Sequence, residues 1–178
     1  AAALQVKGDL DKLSKAKFPG SSASVADTIK EMIGSIGENM TLRRTAHLAA
    51  KNGVVASYMH NAIAPGLGKI GVIVALESTG NPEEVKAFGR QVAMHIPFAN
   101  PQSLDVDGID KTVIERERAV LTEQAKESGK PPQVIEKMVE GRLRKFYEEV
   151  VLLAQSFVHD SDTTVAKALD AAGKTAGA

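Results

Sequence analysis

The chain has 178 residues, 43% hydrophobic and 25% charged, which fits one globular domain of ordinary size or two small ones. Its 22 basic and 22 acidic side chains cancel, so net charge gives no argument for a nucleic-acid or anionic-membrane partner. Without cysteine there are no disulfides, thiolate metal sites or thiol nucleophiles, and the longest apolar run, 71–76, is far short of the ~20 residues a membrane-spanning helix needs.

The chain opens AAALQV, with no Met and no signal peptide, and reads as a fragment or processed product. Leu4, Leu10 and Leu13 could line a short helix that Pro19-Gly20 ends. The spacing of Val25, Ile29, Met32, Ile33 and Ile36 predicts a helix over 24–36. Ser24 and Asp27 resemble a capping box, and Gly37 is placed to stop the helix. From Met40 the period becomes two: Met40, Leu42, Ala46 and Leu48 alternate with Thr41, Arg43, Thr45 and His47, which predicts a strand, with Arg44 out of pattern. Strands are predicted over 54–60 and 69–76, an antiparallel hairpin with a long connection containing Pro and Gly.

Asn81-Pro82 starts the next helix, buried through Val85, Phe88, Val92 and Ile96 and ended by Pro97 and Pro101. Over 109–154 one stripe holds Val113, Ile114, Val120, Leu121 and Gln124. A second runs Ile135, Met138, Val139, Arg142, Leu143, Phe146, Val150 and Leu153, and SGKPP separates the two. Dense Glu, Lys and Arg elsewhere make these two antiparallel helices joined by a tight turn. Twenty residues of helix span roughly 30 Å, enough to project from a body. A last helix is expected over 163–172. The order is α+β, with antiparallel rather than alternating parallel strands.

Catalytic chemistry finds little support. Gly66, Gly68 and Gly71 spell G-x-G-x-x-G, but a strand rather than a helix N-terminus follows, and a Walker alignment puts Ile70 where a Ser or Thr is needed. The glycines are therefore expected to turn a hairpin loop, with no nucleotide bound. His47, His60, His95 and His159 form no metal-ligand spacing. His47 is expected on the exposed side of its strand, and His95 at the surface in the last turn of its helix, where the dipole favours a cation. No cofactor, metal or catalytic residue is implied.

Several stretches, in order, change the balance. IGENMTLRR (36–44), VVASYMH (54–60), GKIGVIVAL (68–76), SGKPPQVIEKMVEGRLRKFYEEVVLLAQSFV (128–158) and TTVAKAL (163–169) together resemble bacterial-type elongation factor Ts. The resemblance implies a guanine-nucleotide exchange factor that binds elongation factor Tu and speeds GDP release, in the bacterial cytoplasm or an organelle matrix. It implies two small α+β subdomains with antiparallel sheet and packed helices, plus a protruding antiparallel coiled coil. On that plan 1–53 is a partial N-terminal core subdomain, 54–100 with 150–178 a C-terminal core subdomain, and 101–149 the hairpin. Matched residue by residue, the partner contacts are Ile36 and Gly37, His60, and Val158. The family's Thr-Asp-Phe-Val stretch and closing GEGIEK-type strand have no counterpart in these residues, so exchange is expected to be weakened or lost. NAIAPGLG stands where the family has a short HGGRIG-type loop, Gln155-Ser156 replaces Gln-Pro, and His159 replaces an apolar residue. The rival reading is a coiled-coil module for binding or self-association as a homodimer; a small-molecule enzyme is a distant third.

Overall fold

The computed structural model describes residues 2–178. They are α+β and divide into two compact units, 1–49 and 50–178.

In the first unit, α1 (Ala2–Gln5) and α2 (Leu10–Lys15) replace the single short helix expected there. Lys7 and Gly8 both take positive φ, 49° and 82°, which breaks the helix between them. α3 (Val25–Ile36) starts as the capping pattern predicts. The Asp27 N–H donates to Ser24 Oγ at 3.1 Å, and the Ser24 hydroxyl donates to the Asp27 carboxylate at 2.6 Å. That bond, with Lys30 behind it, holds the Asp27 pKa below the usual carboxylate value. The strand expected from Met40 is absent: 37–50 form no regular element. A strand exists only as part of a hydrogen-bonded ladder, and the described residues of this unit offer no second strand. His47 accordingly lies half-buried in an irregular segment, its backbone close against Gly8.

The second unit is built on the hairpin of β1 (Gly53–Ala64) and β2 (Leu67–Glu77). Its antiparallel register runs from Gly53↔Glu77 through His60↔Ile70 to Ala64↔Leu67. The long loop expected between the strands is instead strand: pairing continues to a two-residue turn at Pro65-Gly66. Pro65 pre-sets the first turn position, and Gly66, at φ 74°, takes the left-handed second one. An irregularity between Ala62 and Ala64 absorbs the odd residue. Ala56, Val74 and Leu76 share the face that receives α4 (Pro82–Ala99). The opposite face leaves Val55 and Ile73 partly exposed.

α4 begins at Asn81, whose side chain accepts the Glu83 N–H at 2.9 Å. It does not end at Pro97 but runs through it to Ala99. Proline inside a helix costs about 3 kcal/mol. Burial of Phe88, Val92 and Ile96, worth about 1.5–3 kcal/mol for each fully buried side chain, outweighs that cost. Phe88 and Val92 form one core with Phe157 and Val165, closed by the sheet and by α7 (Val165–Ala176). β3 (Ser156–Phe157) and β4 (Asp160–Thr164) make a small hairpin that periodicity did not signal.

α5 (Lys111–Lys126) and α6 (Pro132–Val150) are the two helices expected around SGKPP, and the short turn between them folds one back on the other. Their shared core is Leu121, Ala125, Val139 and Leu143, flanked by Ile135, Met138 and Tyr147. Val120, Gln124 and Arg142 were placed in the stripes but are exposed. Arg142 donates to Gln124 Oε1 at 3.0 Å across the pair, and Arg118 pairs with Glu140. The buried face of α5 is thus rotated by one residue from the predicted one. Alanine at 125 permits the close approach that a glutamine at 124 would not. At the base of the pair the segment after α4 runs alongside the end of α6, with Gln102 N–H donating to the Val150 carbonyl at 2.8 Å.

Candidate functional site

Ile36 is the last residue of α3, and its side chain is 55% exposed. Gly37 follows at φ 80°, ψ 10°, and its N–H donates to the Ile33 carbonyl, a left-handed helix stop. Nothing lies within 4 Å of where a Cβ on Gly37 would sit. The glycine is therefore required by its conformation, not by crowding within this chain. The result is a bare backbone corner with one aliphatic side chain beside it.

In the second unit His60 sits on β1 opposite Ile70 and is half-buried. Its Nδ1 lies 3.2 Å from the Tyr58 hydroxyl. That bond ties the imidazole to Tyr58, which lies on the same face of β1. The glycines beside it serve the sheet. A Cβ on Gly68 would come within 2.6 Å of Met59 Cγ and 2.9 Å of the His60 carbonyl oxygen, so glycine makes room for Met59 to lie across β2. G-x-G-x-x-G is a turn and a strand, with no helix N-terminus to receive phosphate.

Val158 lies in the turn between β3 and β4 and is 41% exposed. Next to it Phe157 is buried in the core, its ring centroid 5.9 Å from Phe88 and 5.8 Å from His95. His159 contacts the same ring edge-on at 5.2 Å. The turn thus has a buried aromatic root and an exposed aliphatic tip.

His95 corrects the expectation of a surface cation. It is fully buried, on the side of α4 that carries Phe88 and Val92. Its Nε2 is 3.0 Å from Gln155 Oε1, and its Nδ1 accepts the Val158 N–H at 3.2 Å. The Gln155 amide donates to the Ala99 carbonyl at 3.1 Å and the Glu149 carbonyl at 2.7 Å. The signal for this was present: His95 follows Phe88 by seven residues and Val92 by three, the spacing of one helical face. A helix dipole favours a cation only at an exposed end, and His95 faces inward.

Ile36 and Gly37 are adjacent by sequence. His60 and Val158 make no hydrogen bond to each other among the described residues; His60 stands within β1, four residues before its end, and Val158 in the β3–β4 turn. No group of acidic or histidine side chains suited to a metal ion occurs among the described residues. No helix there is long and apolar enough to cross a membrane.

The family model described as Elongation factor TS matches residues 1–177. The chain belongs to the elongation factor Ts family. It is 56% identical over 177 residues to the elongation factor Ts of Bartonella tribocorum, covering 99% of this chain and 58% of that protein. The elongation factor Ts of Mesorhizobium japonicum is 56% identical over 171 residues, 96% of this chain and 56% of that protein. That of Rhodospirillum centenum is 49% identical over 176 residues, 99% of this chain and 57% of that protein. The chain thus spans a little over half the length of the elongation factor Ts relatives it matches. Within this chain, Ile36-Gly37 is an exposed corner, His60 a half-buried residue of β1, and Val158 an exposed tip.

Proposed function

We propose that the protein acts in translation elongation as a guanine-nucleotide exchange factor, docking on elongation factor Tu and promoting GDP release. It works by protein contact and not by covalent chemistry. The docking residues are Ile36 and Gly37, His60 and Val158. The observation that carries this reading is the exposure of Ile36 and Val158, in a chain of the elongation factor Ts family. Both are aliphatic side chains held at the ends of ordered elements. Such a side chain loses little conformational freedom on entering a partner pocket and gains apolar burial there. A directional hydrogen bond at His60 adds register. The α5–α6 pair is the coiled-coil arm in this reading, and the bacterial cytoplasm is the compartment.

The test is titration of elongation factor Tu loaded with a fluorescent GDP. Saturable binding of the 178-residue chain is expected, weakened roughly tenfold by Ile36→Ala and by Val158→Ala. GDP release is expected to be fastest with a full-length relative and slower with this chain alone. An absence of binding by the unaltered chain overturns the reading.

A further inference from the structure

The hydrogen bonds around His95 have a single consistent proton arrangement. The Val158 N–H can only donate, so His95 Nδ1 must carry a lone pair. The His95 Nε2 must then carry the proton and donate to Gln155 Oε1. That orients the Gln155 amide, whose NH₂ meets the carbonyls of Ala99 and Glu149. His95 is fully buried and Gln155 is 4% exposed, so the bond between their side chains is shielded from water that could substitute for a lost partner. The ring contact with Phe157 fixes the imidazole plane. One buried side chain on α4 thus ties together the end of α4, the last turn of α6 and the backbone of the β3–β4 turn.

We propose that His95 is the positioning residue of the Val158 docking tip, acting as the Nε2–H tautomer shared with Gln155. It holds the tip in register with the base of the α5–α6 pair. The inference rests on the reading of Val158 as a docking residue. Nothing in it requires His95 to touch the partner: the ring is fully buried, and its effect passes through the Val158 N–H.

A double-mutant cycle on binding to elongation factor Tu·GDP tests it. His95→Leu removes both ring bonds. His95→Asn keeps an acceptor that an amide flip can present to the Val158 N–H. His95→Leu is expected to weaken binding roughly tenfold, and His95→Asn to recover to within about threefold of the unaltered chain. In a Val158→Ala background His95→Leu should add little, because its effect is routed through that tip. Fully additive losses, or equal losses for Leu and Asn, overturn the proposal while leaving docking itself intact. Failure of the unaltered chain to bind overturns docking and the proposal together. Imidazole ¹⁵N shifts of the unaltered chain give a readout independent of any variant's folding. A protonated Nε2 and a bare Nδ1 at neutral pH are expected, and the opposite tautomer or a doubly protonated ring overturns the assignment.

Discussion

Gly37 separates conformational from steric demand. A Cβ there would meet nothing within 4 Å, yet φ is 80°. Alanine in the left-handed region costs roughly 1–2 kcal/mol, while asparagine tolerates it better. Thermal unfolding should therefore rank Gly37 above Gly37→Asn above Gly37→Ala, with the alanine variant about 1 kcal/mol less stable. Equal melting of the two variants would show that the corner can relax. The same scale shows what a string of letters conceals. Gly37 and Gly66 were legible because a stop and a turn each need positive φ. Gly68 was not, because its reason is the Met59 side chain across the ladder. His95 is buried rather than exposed, because its place on the Phe88–Val92 face outweighs the pull of a helix end on a cation.

At the level of elements, α4 meets the hairpin through Gly89. A Cβ there would stand 2.9 Å from Ala56 Cβ and 3.1 Å from Leu76 Cδ1. Ala56 Cβ is fixed to its backbone and can yield only if the strand moves. Gly89→Ala gains about 1 kcal/mol of helix propensity. It loses about 1–3 kcal/mol to overpacking, so net destabilisation of order 1 kcal/mol is expected by urea unfolding. A stabilised variant would mean that α4 slides freely over the sheet. The caps of α3 and α4 were readable from Ser24 and from Asn81-Pro82, because capping is a contact within a few residues. The strand expected over 40–48 failed, because alternation describes a face and supplies no neighbouring strand. Pro97 failed as a stop for the converse reason: packing of α4 outweighed a local rule.

At the scale of the whole molecule, the 50–178 unit holds two separate hydrophobic clusters, one around Phe88 and Phe157 and one around Leu121 and Leu143. Leu143 is 1% exposed, and Leu→Ala at such a site costs about 2–5 kcal/mol. Native-state amide exchange of Leu143→Ala should lose protection along α5 and α6, while β1, β2 and α4 keep theirs. Uniform loss across the unit would mean that the two clusters unfold as one. The sequence alone determined the α+β class, the paired helices around SGKPP, and the family, since these rest on local periodicity and on ordered motifs. The tertiary structure decided which face of α5 is buried, where β1 and β2 stop pairing, and that His95 lies beneath Val158. The α5 face is set by α6 from across the SGKPP turn, the strand ends by pairing across the ladder, and the place of His95 by a contact 60 positions away, with Gln155. Burial is decided by what arrives from elsewhere in the chain, and short-range pattern does not carry that information.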